Sequence, residues 1–90
     1  MSSAAGKRHL ALVHRMLCVI CLHKHDRKRP CEEAHHIEAY RDDHSDFATV
    51  PLCHECHQQL HAMHRRPFYL LYNLDDGEFL SWKIMQMEAK

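Results

Sequence analysis

Two cysteine pairs, Cys18-x-x-Cys21 and Cys53-x-x-Cys56, constrain this chain more than any other feature. A two-residue gap lets both sulfurs of a pair reach one tetrahedral ion, and two such pairs complete a four-cysteine zinc site. The 31 residues between Cys21 and Cys53 are more than a compact zinc ribbon needs, and they leave room for an inserted β-hairpin. Cys56 falls three residues after Cys53, so one turn at a helix start can present both sulfurs. The fifth cysteine, Cys31, has no partner at matching spacing and reads as a loop thiol. With 90 residues the chain is one small domain of the size that often needs a staple. No hydrophobic leader opens the sequence, and no apolar run reaches the roughly 18–20 residues that cross a bilayer. Five cysteines in a reducing, cytoplasmic setting then point to metal and not to disulfides.

The pattern along the chain predicts an α+β fold built on that zinc site, with an N-terminal helix and C-terminal helices. Residues 1–8 are expected to be disordered, with residues 9–90 as the single domain. Leu10, Val13 and Leu17 recur at helical spacing within residues 7–17. The polar stretch 22–33, which holds Pro30, reads as a loop. Residues 33–40 read as a strand with Ile37 and Tyr40 as its apolar members, 41–46 as a turn, and 47–52 as a second strand. A helix is expected from His54 to about His64 and a short one from Pro67. The last runs over 76–88, capped by Asp75, with Phe79, Leu80, Ile84 and Met87 inward. Phe68, Tyr69, Leu71, Tyr72 and Trp82 are assigned to the core over the zinc module.

The eleven histidines form the second constraint. His35 and His36 are neighbours, and on a strand neighbouring side chains point to opposite faces. One can ligate a metal while the other points toward a substrate. His57 and His61 are four apart and share a helix face. If the hairpin packs on that helix, His35, His57 and His61 can converge on a second metal. Three protein ligands leave coordination positions open, as catalytic sites do.

Charge separates the function classes less sharply. Twelve Lys and Arg balance twelve Asp and Glu, so the chain lacks the overall positive charge of a nonspecific nucleic-acid binder. Local basic spots remain: Lys24, Arg27, Lys28 and Arg29 in one run, Arg65 and Arg66 in another. These are the candidates for holding phosphates.

Taken together, Cys-x-x-Cys, "AHHI" and "VPLCHECHQQLH" resemble the HNH endonucleases, whose ββα-metal site sits in a treble-clef zinc fold. The likeness is to short phage and prophage HNH proteins and covers roughly residues 9–82. "HLALVHRMLCVIC" at the start and "RRPFYLLYNLDDGE" after the helix belong to it. It implies that His36 is the general base acting on the attacking water. It also implies that His35 and His57 bind the catalytic ion, with His61 as the additional ligand of colicin-type DNases. Cys18, Cys21, Cys53 and Cys56 match the zinc-binding variant. The family's middle Asn is missing from "DFATVPLC", where Asp46 is the nearest polar substitute.

The function expected from the resemblance is DNA phosphodiester hydrolysis by an endonuclease or nickase. The expected cofactors are a structural Zn2+ and a catalytic Mn2+, Ni2+, Co2+, Zn2+ or Mg2+. DNA is the expected partner, alongside phage packaging or recombination proteins, with no membrane involved. The competing reading is a noncatalytic treble-clef module that binds nucleic acid or protein. The intact histidine set favours the enzyme, because a purely structural domain does not need a second ligand cluster.

Overall fold

A computed structural model describes residues 4–37 and 46–89. The expected turn at 41–46, the end of the first strand and Tyr40 fall largely or wholly outside that range. The described chain runs α1 (Ala4–Val13), α2 (Val19–Lys24), β1 (Glu33–His36), β2 (Thr49–Leu52), α3 (His54–Met63), α4 (Arg65–Tyr72) and α5 (Asp76–Glu88). This is an α+β arrangement of five helices and one two-stranded sheet among the described residues.

The strands pair antiparallel with Glu33 opposite Leu52, Ala34 opposite Pro51, His35 opposite Val50 and His36 opposite Thr49. Pro51 cannot donate to a ladder, which a two-stranded sheet tolerates because each strand has a free edge. Every residue of β2 is buried. The reason is that α1, α2 and α5 all pack against it, while α3 packs on β1. Val50, Leu52, Ile20, Ile37, Phe68 and Phe79 form the fully enclosed apolar centre, into which the four paired cysteines are also packed.

Cys53 caps α3: its extended backbone sets up the first turn, and its sulfur accepts from the Cys56 N–H at 3.5 Å. The helix buries Cys56 and Leu60. It ends at His64, whose backbone (φ 70°, ψ 163°) lies in a region that glycine alone adopts freely. Asp75 caps α5 as predicted, Oδ1 accepting from the Glu78 N–H at 2.8 Å.

Several expectations need correction. α1 starts at Ala4, so residues 4–8 are helical and not disordered, and it stops at Val13, leaving Leu17 beyond its end. The start of the supposed loop 22–33 belongs to α2, a single helical turn and a half that carries Cys21. Leu71 and Ile84 are exposed, at 56% and 48%. The other expectations for α5 fare better: Phe79 and Trp82 are buried and Leu80 packs against the core, while the buried face also carries Lys83, which was not expected there. Leu71 points away because α4 is short, and its buried stripe is already filled by Phe68 and Tyr72, four residues apart.

Candidate metal centre

The sulfurs of Cys18, Cys21, Cys53 and Cys56 lie within 4.8 Å of one another, and all four residues are buried. Cys21 Sγ stands 3.8 Å from Cys53 Sγ and 3.7 Å from Cys56 Sγ. Four thiolates around a zinc with bonds of about 2.3 Å have sulfurs about 3.8 Å apart, so the spacing fits that ion without rearrangement. The cysteines titrate against one another. A hydrogen bond from Cys56 lowers Cys18 well below the usual thiol range. Burial and the Cys18 charge push Cys21 above the usual thiol range. The hydrogen bond to Cys18, with burial, pushes Cys56 up as well. Four thiolates could share this space only around a cation, and thiolate ligands suit a metal such as zinc.

Main-chain contacts fix the first pair. Cys18 N–H donates to the Arg29 carbonyl at 2.8 Å, and Cys31 N–H donates to the Met16 carbonyl at 2.8 Å. The two ends of the loop around α2 are thereby drawn together. Gln86 of α5 braces the same point, accepting from Leu17 N–H at 2.9 Å and donating to the Leu17 carbonyl at 2.8 Å. Cys31 stays outside the cluster, its thiol donating to the Glu33 carbonyl at 3.4 Å.

A second group of ligand atoms forms where β1 meets α3. His35, His57 and His61 present ring nitrogens that lie within 4.8 Å of one another. His35 Nδ1 is 3.3 Å from His57 Nε2, and His57 Nε2 is 3.0 Å from His61 Nε2. Imidazoles bound to one ion at about 2.1 Å have nitrogens about 3.0–3.4 Å apart, so these three fit a shared ion. Burial, and then the neighbouring imidazoles, drive His35 down to about 4, so this ring is neutral and available as a ligand near pH 7. Phe79 of α5 backs the His35 ring, with centroids 6.3 Å apart.

Glu33, which sequence reasoning missed, orients this group. Its Oε1 contacts His57 Nδ1 and its Oε2 contacts His54 Nδ1 at 2.9 Å. Those hydrogen bonds, the one to His57 foremost, hold the carboxyl down at about 2. A carboxylate on Nδ1–H fixes the tautomer that leaves Nε2 free for a metal. The signal was available: Glu33 and His35 are two apart on one strand, so they share a face.

His36 points the other way. Its Nε2 lies 3.0 Å from Asp46 Oδ1, and the imidazole is half exposed while Asp46 is buried. Thr49 Oγ1 donates to the Asp46 carbonyl at 2.8 Å and steadies that residue. With the carboxylate accepting from Nε2–H, Nδ1 keeps the free lone pair.

The basic candidates divide. Arg65 and Arg66 line a cleft of about 390 Å³ together with His35, His61 and His64. Arg29 is engaged elsewhere, donating to Glu55 at 2.6 Å with Glu32 at 3.8 Å. Lys24 sits over the Trp82 ring, 5.6 Å from its centroid. Arg27 and Lys28 are exposed beyond α2.

No protein-family model, curated protein or solved structure matches this chain. No helix among the described residues is long and apolar enough to cross a membrane.

Proposed function

We propose that the chain is a metal-dependent endonuclease of HNH type, a zinc-stabilised treble clef that hydrolyses phosphodiester bonds in DNA. The observation that carries this reading is the division of labour between neighbours on β1. His35 joins two helix histidines in a three-nitrogen cluster, while His36 turns to a carboxylate on the opposite side. A structural zinc domain is complete with its four cysteines and has no use for either arrangement.

In this reading His36 takes the proton of the attacking water on Nδ1, with Asp46 holding the ring from Nε2. Asp46 does the orienting work that the family's missing Asn would share. His35, His57 and His61 hold a divalent ion, and Glu33 keeps His57 in the ligating tautomer. When bound, such an ion neutralises charge on the phosphate and on the leaving oxygen. Arg65 and Arg66, on the wall of the same cleft, hold the neighbouring phosphates of the strand. An all-imidazole donor set favours Mn, Co, Ni or Zn over Mg.

Relaxation of supercoiled plasmid tests the proposal. Chelator-treated protein, with its zinc retained, should be inactive, and Mn2+ or Ni2+ should restore nicking. His36→Ala should be inactive with either metal. Plasmid left intact under every metal, by protein that still retards DNA in a gel, would replace this reading with the noncatalytic module.

A further inference from the structure

Three buried polar side chains, Asp46, Thr49 and Lys83, stand among the described residues outside the metal-binding clusters. They are not scattered. Lys83 Nζ donates to the Phe47 carbonyl at 2.6 Å, and Thr49 Oγ1 donates to the Asp46 carbonyl at 2.8 Å. Asp46 in turn holds His36 at 3.0 Å. All three therefore converge on the two-residue segment that carries the His36 partner. Lys83 also contacts His9 Nε2 at 3.0 Å, which ties α1 to the same point.

Burying a lysine is costly, and the position does not require one. Lys83 is 3% exposed on the inward face of α5, beside the buried Phe79 and Trp82, where an uncompensated charge would be costly. Neither the cysteine cluster nor the histidine cluster uses it. What distinguishes lysine at this place is a cationic donor long enough to reach the main chain beside Asp46.

We infer that Lys83 is a positioning residue for the His36–Asp46 pair: it anchors the Phe47 carbonyl so that the Asp46 carboxylate stays on His36 Nε2. The inference rests on the nuclease reading for its consequence in turnover, and on geometry alone for its effect on the ring. Removal of Lys83 lets the Asp46–Phe47 segment shift. The His36 ring then loses its fixed tautomer, while both metal clusters stay intact.

The test combines kinetics with nuclear magnetic resonance of ¹⁵N-histidine protein, using Lys83→Met, Asp46→Asn and the double variant. Lys83→Met should lower kcat by about 10-fold or more, with KM for DNA and the metal content of both sites unchanged. In the Asp46→Asn background the same change should cost less than about 2-fold, since the two residues act through one hydrogen bond. At fixed pH the wild-type His36 ring should show one tautomer with Nε2 protonated, and Lys83→Met should show a mixture. Losses that multiply in the double variant, an unchanged kcat, or a tautomer that survives Lys83→Met would overturn the inference. A wild-type protein without nuclease activity would remove the nuclease reading and leave the tautomer measurement to decide this one. If Lys83→Met does not fold, Lys83→Gln, too short to reach the Phe47 carbonyl, takes its place with the same outcomes.

Discussion

Glu33 gives the sharpest handle on the histidine cluster, because it touches His57 without supplying one of the three clustered nitrogens. Each of its oxygens has one imidazole partner, Oε1 with His57 and Oε2 with His54. Glu33→Ala removes the acceptor at His57 Nδ1 and leaves that ring free to turn over or to protonate Nε2 instead. Losing one such carboxylate–histidine contact typically costs 10–100-fold in metal affinity. The larger value is expected here, because His57 Nε2 stands between the other two donors, 3.3 Å from His35 and 3.0 Å from His61. Displacing it breaks up all three. Glu33→Gln keeps an oxygen acceptor but not the charge, and should fall about midway. Calorimetric titration with Mn2+ or Ni2+ on zinc-loaded protein reads the change directly. Elemental zinc on the same samples confirms that the cysteine cluster is untouched. An affinity within twofold of wild type in Glu33→Ala would refute the orienting role.

The remaining expectations concern both clusters and the helix behind them. Purified protein should carry one tightly held zinc, and Cys53→Ser or strong chelation should unfold it by circular dichroism. Structural zinc contributes about 10–16 kcal/mol, as much as a small domain's whole stability. His36→Ala should keep its metal affinity yet lose about 10²–10⁴-fold in nicking rate, whereas excess metal should partly rescue His35→Ala. Equal metal loss in the two variants would break the assignment. Gln86→Leu leaves the Leu17 N–H and carbonyl unpaired, so it should destabilise by about 1–3 kcal/mol in thermal unfolding and speed zinc release to a colorimetric chelator. Burial lowers the Lys83 pKa from its ordinary 10.5 to about 8. Between those values the unfolded chain binds more protons, so stability should rise with pH by up to about 3 kcal/mol, and Lys83→Met should flatten that rise in chemical denaturation.

How much of this was legible in the sequence follows the range of the interactions. Cys18, Cys21, Cys53 and Cys56 were readable because tetrahedral ligation fixes their spacing, and His57 with His61 because helix geometry does. The gathering of His35 with them followed from strand alternation and one packing assumption, β1 against α3, which the fold bears out. Helix α2 was not readable: six residues complete too little of a helical repeat to show a period. The α1 boundary slipped because Leu17 continues the apolar spacing after the backbone has left the helix at Val13.

On α5, Phe79 and Trp82 were legible as inward, whereas Ile84 was misplaced and Lys83 and Gln86 were missed, for a more instructive reason. The inward stripe is Phe79, Trp82, Lys83 and Gln86, at spacings of three, four and seven, which is a regular helical face. Its polar half, Lys83 and Gln86, escaped the apolar pattern, while Ile84 and Met85 put apolar side chains on the exposed side. Polar residues on a buried helix face are retained only with partners. The partners here are main-chain groups far away in sequence: Phe47 for Lys83, Leu17 for Gln86. Phe47 follows Asp46, and Leu17 precedes Cys18. With Phe79 against His35, one face of α5 thus reaches the histidine cluster, the segment behind His36 and the start of the cysteine cluster. The same chemistry that obscured part of this face in the sequence makes it the brace between both centres. A substitution on that face is therefore felt at a site to which it contributes no ligand.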